Sequence, residues 1–266
     1  MGTDNTTESQ LGYVEGAISV LAVLRAGSRP VYQLLLSQSC DRENRNVQAL
    51  LRIAQEQQLP VRTCSDQELL LLVNGNTHGG VVAQVGQRKL CSLEELLSRK
   101  DGFFCLLTGI EDPYNFGDAL RSLYAFGVDG VVLGQRNWLS AASVTARSSA
   151  GASELVDCAV YTDEDELVEI CKKYKVKIVC AEEKDSQSLR RCDLSRPLLL
   201  VIGGEKRGIQ SSLLEKADLR IRIPYGRNFN RSLSASAAAA AIGFEITRQQ
   251  RGKNFRSSHG KGKKKS

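Results

Sequence analysis

No stretch of this 266-residue chain stays apolar for the about 20 positions that a membrane-crossing helix needs. The first residues, MGTDNTTESQ, have neither the basic start nor the apolar centre of a secretory signal. A cytoplasmic protein is therefore expected. Histidine is scarce, with only His78 and His259, and the eight cysteines are scattered without a C-x-x-C pair. A zinc site needs clustered ligands, so no metal is expected, and the cysteines read as reduced, buried thiols. Cys105 in FFCLLTG and Cys180 in IVCAEE lie in apolar runs that fit this reading. A catalytic Cys–His pair would have to draw on His78. No internal repeat is evident, and no loop carries the glycine pattern with which nucleotide enzymes cradle phosphate.

Acidic residues are missing from one region in particular. The last stretch, RGKNFRSSHGKGKKKS (251–266), is basic throughout, in a chain whose net charge is +6. It reads as a disordered, solvated tail that could also serve as a polyanion-binding arm. Residues 1–12 read as a disordered N-terminus.

What is present is alternation of strand and helix. A helical period runs over Tyr13–Ala26, with Val14, Ala17, Ile18, Leu21 and Leu24 on one face. Strands are expected at Val31–Leu36, Pro60–Thr63 and Val81–Val85, and helices at Arg45–Gln57 and at Asp66–Val73, the latter capped by Ser65. Ser92 and Glu95 form a capping-box pattern at a short connecting helix. These features define a small α/β domain over 13–95. A second α/β domain is expected over 96–250, with a parallel sheet covered on both faces. Its strands are FFCLLTG, Gly130–Leu133, Lys177–Ala181, Leu198–Ile202 and Leu219–Ile223. Its helices are Gly117–Phe126, Glu164–Lys173 and the alanine-dense Ala235–Thr247.

Three strand ends in this second domain pass into irregular loops, which is where α/β proteins place ligands. The first loop leads into NFGDALRSLYAFGVDGVVL, with Asn115 near the helix start and Arg121 on its first turns. The second is VIGGEKRGI, which presents Glu205 after a glycine pair. The third is IPYGRNFNRSLSASAAAAAIGFE.

Together these segments resemble the SpoU (TrmH-type) family of RNA 2′-O-ribose methyltransferases, of the SPOUT superfamily. They stand beside that family's N-x-G-x-x-x-R, G-x-E-x-x-G and I-P-M…S-L-N-V-S motifs in order and spacing, over about residues 102–248. The N-terminal unit, with HGGVVAQV, resembles the small RNA-binding domain of members that act on ribosomal RNA. The resemblance implies a trefoil-knotted parallel sheet, S-adenosyl-L-methionine as cofactor, a homodimer whose site draws on both subunits, and structured RNA, most plausibly ribosomal, as substrate. It implies cofactor contacts at Ile202, Gly203, Gly204, Gly208, Ile223, Pro224 and Leu233. It implies catalytic roles for Asn115, Arg121, Glu205, Ser232 and Ser234. Arg121 matches the arginine proposed as activating base. Because a guanidinium is normally protonated, it reads better as a phosphate-positioning and alkoxide-stabilising group.

Two departures stand out. Ser234 replaces the family's Asn, and Tyr225 replaces its Met ahead of a longer, more basic loop, Gly226–Arg231. A non-catalytic RNA-binding protein, or a base-modifying enzyme on the same fold, is the alternative that these departures keep open.

Overall fold

The structure is a computed structural model. It describes residues 11–73, 78–134 and 142–260, the last ten of these as helix backbone only. The expected disordered N-terminus lies outside these residues up to position 10, as does the end of the basic tail, 261–266. The chain divides into two compact units. One comprises Met1–Lys89 with Asn137–Leu155, the other Leu90–Arg136 with Val156–Ser266.

The first unit contains strands β1 (Gly12–Glu15), β2 (Val31–Ser37), β3 (Val61–Cys64) and β4 (Val81–Val85), with helices α1 (Ala17–Ala26), α2 (Arg45–Glu56) and α3 (Asp66–Leu72). The sheet order is β1-β4-β2-β3; β4 runs antiparallel to both of its neighbours, and β2 pairs parallel with β3. Ser65 and Glu68 close a reciprocal capping box at α3, and the Asn44 side chain caps α2.

The expected helix over Tyr13–Ala26 is corrected at its start. Tyr13–Glu15 are strand, paired with β4, and the chain turns at Gly16, whose φ of 86° only glycine adopts freely. The helical period extended back to Val14 because Val14 does face the core, but from a strand. Ile18, placed on the buried face by that period, is instead 54% exposed.

Two further short helices complete this unit, α6 (Ala142–Ser148) and α7 (Ala152–Leu155). In sequence they fall between two strands of the other unit, in a Ser/Ala-rich stretch with no amphipathic pattern. Small side chains let them approach closely. Ala146 joins the apolar cluster of Val14, Leu21 and Leu34, and a Cβ at Gly151 would lie 2.7 Å from that of Ala22. Two buried carboxylates tie them down. Glu154 accepts from Ser28 Oγ at 2.7 Å and from Arg29 Nε at 3.0 Å, with Arg88 Nε at 3.8 Å. Glu15 Oε1 pairs with Arg147 at 2.5 Å, while its Oε2 is buried without a hydrogen-bond partner among the described residues. Burial pushes the Glu15 carboxyl above the usual glutamate range, against the pull of Arg147 and His78.

The second unit begins with α4 (Leu93–Leu97), capped by Ser92. Then follow β5 (Phe103–Thr108), α5 (Pro113–Ala125), β6 (Gly130–Leu133), β7 (Asp157–Val160), α8 (Glu164–Lys173), β8 (Lys177–Ala181) and β9 (Gln187–Ser188). The chain ends with β10 (Leu198–Gly203), α9 (Ser211–Glu215), β11 (Leu219–Arg222) and α10 (Ala235–Gly260). Helix α10 continues through 251–260, the first part of the stretch read as a tail. The seven strands lie in the order β7-β6-β5-β10-β8-β11-β9, and every pair is parallel. The sheet centre is apolar on both faces, as a sandwiched parallel sheet requires: Phe104, Leu106, Leu199 and Val201 on one face, and Phe103, Cys105, Leu200 and Val179 on the other, are all fully buried. Against the other elements, the alanines of α10 allow tight packing on α5, and a Cβ at Gly243 would meet Phe126 at 3.2 Å.

None of the eight cysteines forms a disulfide, and seven are buried. Burial pushes the thiols of Cys171 and Cys180 up to about 12, so neither is a thiolate near neutral pH. His78 is buried, and its Nδ1 accepts from the Gly80 N–H at 3.0 Å, a structural assignment. No described helix is long and apolar enough to cross a membrane.

The Glu154 pairings generate a prediction. Glu154→Ala removes the carboxylate to which buried Ser28 and Arg29 donate, and breaking a buried ion pair from one side costs about 3–5 kcal/mol. Chemical unfolding of the variant followed by circular dichroism is expected to show a loss of that order. A loss under about 1 kcal/mol would show that the pair does not hold α7 in place.

Candidate active site

Because neighbouring strands are parallel, the C-terminal ends of β5, β8, β10 and β11 fall on one edge of the sheet, and their loops gather there. β10 lies between β5 and β8, so Gly203 pairs with Thr108, and the next residue, Gly204, donates its N–H to the Thr108 carbonyl at 2.8 Å. The two backbones then pass in contact. A Cβ at Gly204 would stand 1.9 Å from the Gly109 oxygen, and one at Gly203 would stand 2.4 Å from the Gly208 carbonyl carbon. No side chain fits at either position. Gly208 folds back on Gly204 through a 2.9 Å hydrogen bond, its φ of 61° being suited to glycine, which makes the GEKRG segment a tight turn. Lys206 donates to Glu111 at 2.8 Å, tying this turn to the loop after β5, and that hydrogen bond holds the Glu111 carboxyl below the usual range.

Two cavities lie on either side of this turn. The larger, about 230 Å³, is lined by Gly203, Gly208, Ile202, Ile223, Ser232 and Leu233 among others. The smaller, about 160 Å³, is lined by Gly109, Asp112 and Asn115. Gly204, Glu205 and Ala235 border both. Glu205 therefore stands between the two spaces.

The larger cavity has the character of a site for an amphipathic cation. Its walls are bare glycine backbone and the apolar side chains of Ile202, Ile221, Ile223 and Leu233. Glu182, Glu183 and Glu205 supply carboxylates at its edge, against one lining guanidinium, Arg222, which is itself engaged by the Ser186 carbonyl. Among the described residues no cluster of His, Cys, Asp and Glu is arranged to hold a metal ion.

The structure thus brings Ile202, Gly203, Gly204, Glu205, Gly208, Ile223, Ser232 and Leu233 to one cavity. Asn115 lines the neighbouring one. It does not cap its helix: Asp112 does, accepting from Tyr114 N at 3.1 Å and Asn115 N at 3.3 Å, with Pro113 at the first helical position. Pro224 lines a third hollow, shared with Tyr225 and Phe229. Arg121 is exposed on α5, makes no ion pair with a described residue, and lines neither cavity.

Ser234 has a defined task. Its Oγ accepts from the Ala237 N–H at 3.2 Å, the N-cap bond of α10. Serine and asparagine are about equally good at this position. Sequence reasoning missed Glu182 and Glu183, although they directly follow the apolar strand β8, and it missed Glu111. Their signal was positional: each lies within a few residues of a buried strand's C-terminal end.

Comparison with known proteins bears on this geometry. Residues 102–244 match the model of the SpoU rRNA Methylase family, and residues 13–90 match that of RNA 2′-O ribose methyltransferase substrate binding. YacO of Bacillus subtilis, placed in the TrmH family of tRNA/rRNA methyltransferases, is 29% identical over 91% of this chain and 97% of its own length. RlmB of Pseudomonas putida, a 23S rRNA (guanosine-2′-O-)-methyltransferase, is 28% identical over 91% of this chain and 98% of its own. In fold, the chain is similar to the SpoU methyltransferase AviRb of Streptomyces viridochromogenes, crystallised with the cofactor AdoMet. The TM-score is 0.75 over 94% of each chain, at 23% identity. With a family model matched over more than half its length, the chain belongs to the SpoU rRNA methylase family.

Proposed function

We propose that this protein transfers the methyl group of S-adenosyl-L-methionine to a ribose 2′-hydroxyl of structured RNA, most plausibly ribosomal RNA, as a cytoplasmic homodimer. The observation that carries the reading is the larger cavity, where three strand-end loops meet and glycine replaces side chains at the points of closest approach. The residues fit the cofactor. Apolar walls suit an adenine ring, bare backbone at Gly203 and Gly204 offers main-chain groups, and the carboxylates of Glu182, Glu183 and Glu205 suit its ammonium and sulfonium charges. The insertion of β10 between β5 and β8, both earlier in the chain, supports the trefoil knot that the family resemblance implies.

When bound, the cofactor supplies an electrophilic methyl group. The protein's task is to place the 2′-oxygen in line with it and to stabilise the charge that develops there. Arg121 is the donor for that task. It stays a cation, neutralises the adjacent phosphate and donates to the forming alkoxide. Its exposed position, outside both cavities of its own chain, is what a site completed by a second copy would need. Asn115 and Glu205, which line one cavity together, orient the ribose or the partner's arginine. Ser234 keeps the cap of α10, so the family's Asn is replaced without loss of the helix start that positions Ser232 and Leu233. That favours catalysis over the non-catalytic reading. The family match of the N-terminal unit supports an RNA substrate.

Purified protein, tritiated cofactor and ribosomal RNA from cells lacking the gene provide the direct test. Label is expected in a ribose-methylated nucleotide. No transfer above background despite intact cofactor binding would refute an enzyme, and label on a base nitrogen would reassign the reaction.

Two variants follow. Arg121→Ala should lower methyl transfer by about 100-fold or more, the scale of losing one charge-stabilising donor, while cofactor affinity measured by calorimetry stays within about twofold. Equal loss of both would contradict its role. Gly204→Ala should force the loops after β5 and β10 apart and weaken cofactor binding by about tenfold or more, because backbone cannot yield to a 1.9 Å contact. Unchanged affinity in a folded variant would show that the crossing does not build the cavity.

A further inference from the structure

The loop between β11 and α10 carries residues that stand outside the cofactor cavity, Arg227, Phe229 and Arg231 among them. Tyr225 and Phe229 are 37% and 56% exposed, with ring centroids 6.2 Å apart and planes tilted by 53°. The Tyr225 ring is anchored, since its Oη accepts from the Leu233 N–H at 3.1 Å. Together with Pro224, Arg227 and Leu233 the two rings line a hollow of their own. Tyr225 and Leu233 also line the cofactor cavity, so the two spaces share a wall. The loop's charge has one sign. From Leu219 through Phe244 there is no acidic residue, whereas Arg227 and Arg231 are exposed and make no ion pair with any described residue.

We propose that Tyr225 and Phe229 form a stacking platform for an unstacked nucleobase of the RNA substrate, next to the methylated ribose, with Arg227 and Arg231 on the flanking phosphates. The inference rests on the RNA methyltransferase reading and deepens it by assigning the base contact. Aromatic faces beside guanidinium groups are how proteins hold single-stranded RNA, because every base has a π-face and every linkage a charge. A second copy of the chain is the other occupant to consider. A symmetric contact of this loop with its counterpart would bring Arg227 and Arg231 of both copies together with no acidic residue between Leu219 and Phe244 to pair them, whereas a polyanion supplies the missing charge. The open tilt of the rings, with Phe229 more than half exposed, leaves a face free for a flat ligand.

The test uses the full chain saturated with S-adenosylhomocysteine and a single-stranded oligoribonucleotide carrying one 2-aminopurine. Binding to the wild type should quench the fluorescence. Phe229→Ala should weaken affinity about tenfold, within the range of one lost base–aromatic stack, and Phe229→Trp should restore it. Arg227→Ala should weaken binding and lower the salt dependence by about one phosphate contact. Cofactor affinity and sedimentation of the Phe229 variants should match the wild type. Absence of quenching by the wild type, or Phe229→Ala binding within twofold of it, would overturn the platform. So would loss of RNA affinity in step with loss of cofactor affinity or with dissociation of the subunits. Methyl transfer distinguishes the two levels. Wild-type transfer with an unaffected Phe229→Ala removes the platform alone, whereas quenching without any transfer removes the proposed activity alone.

Discussion

The contact between Gly204 and the Gly109 carbonyl is the constraint on which the rest of the site depends. Two parallel strands far apart in sequence, β5 and β10, end side by side, and their loops must cross at backbone-to-backbone distance. Only glycine permits this, since even a methyl group at 204 would overlap a carbonyl oxygen. The crossing turns the chain so that Glu205 stands between two cavities and the GEKRG turn closes over the sheet edge. The hydrogen bond from Gly204 to Thr108 and the Lys206–Glu111 pair then hold the loops together. Cavity, carboxylate placement and access from the loop after β11 all follow from that one close approach.

The two units secure their chains by different physics. The methyltransferase unit relies on apolar burial of a parallel sheet, with small residues wherever elements must approach closely, as along α10. The N-terminal unit adds buried charge. Glu154 and Glu15 are each 1% exposed and hold α6 and α7 through guanidinium partners. Such pairs add little net stability over an apolar core of the same shape, but they are specific: neither carboxylate can be buried elsewhere without its arginine. Helices α6 and α7, which lie in sequence between β6 and β7, are thereby committed to the N-terminal unit.

Much of this was legible in the sequence, for identifiable reasons. Helix α8 and strand β8 begin and end where the pattern puts them, because Asp163 caps the helix and the Lys177–Ala181 run is apolar in its middle. The loops after β5, β10 and β11 gather at one edge, since strand ends in a parallel sheet must share it, while Arg121 stands on α5 outside both cavities. Other features were hidden. Periodicity cannot tell a core-facing strand residue from a helical one when a glycine turn separates them, which is why Tyr13–Glu15 read as helix. A Ser/Ala-rich stretch carries no amphipathic signal, so nothing in 142–155 announced the core that Ala146 joins. The strand order is a long-range property, invisible to local pattern. Asn115 is a good capping residue near the helix start, but Asp112, with Pro113 next to it, is the cap. Ser234 stands where the family has Asn, and the helix cap that its Oγ forms with the Ala237 N–H is a local feature that the motif alone does not display.

The central claim is that the loops at this sheet edge bind a methyl donor and act on a ribose of RNA. Mapping of ribose 2′-O-methylation across the total RNA of the source organism, with the gene present, deleted and restored, tests it most directly. The account predicts that one or a few ribose methyls in structured RNA disappear on deletion and return with the intact gene. An unchanged ribose-methylation map, or a lost modification that lies on a base, would contradict it.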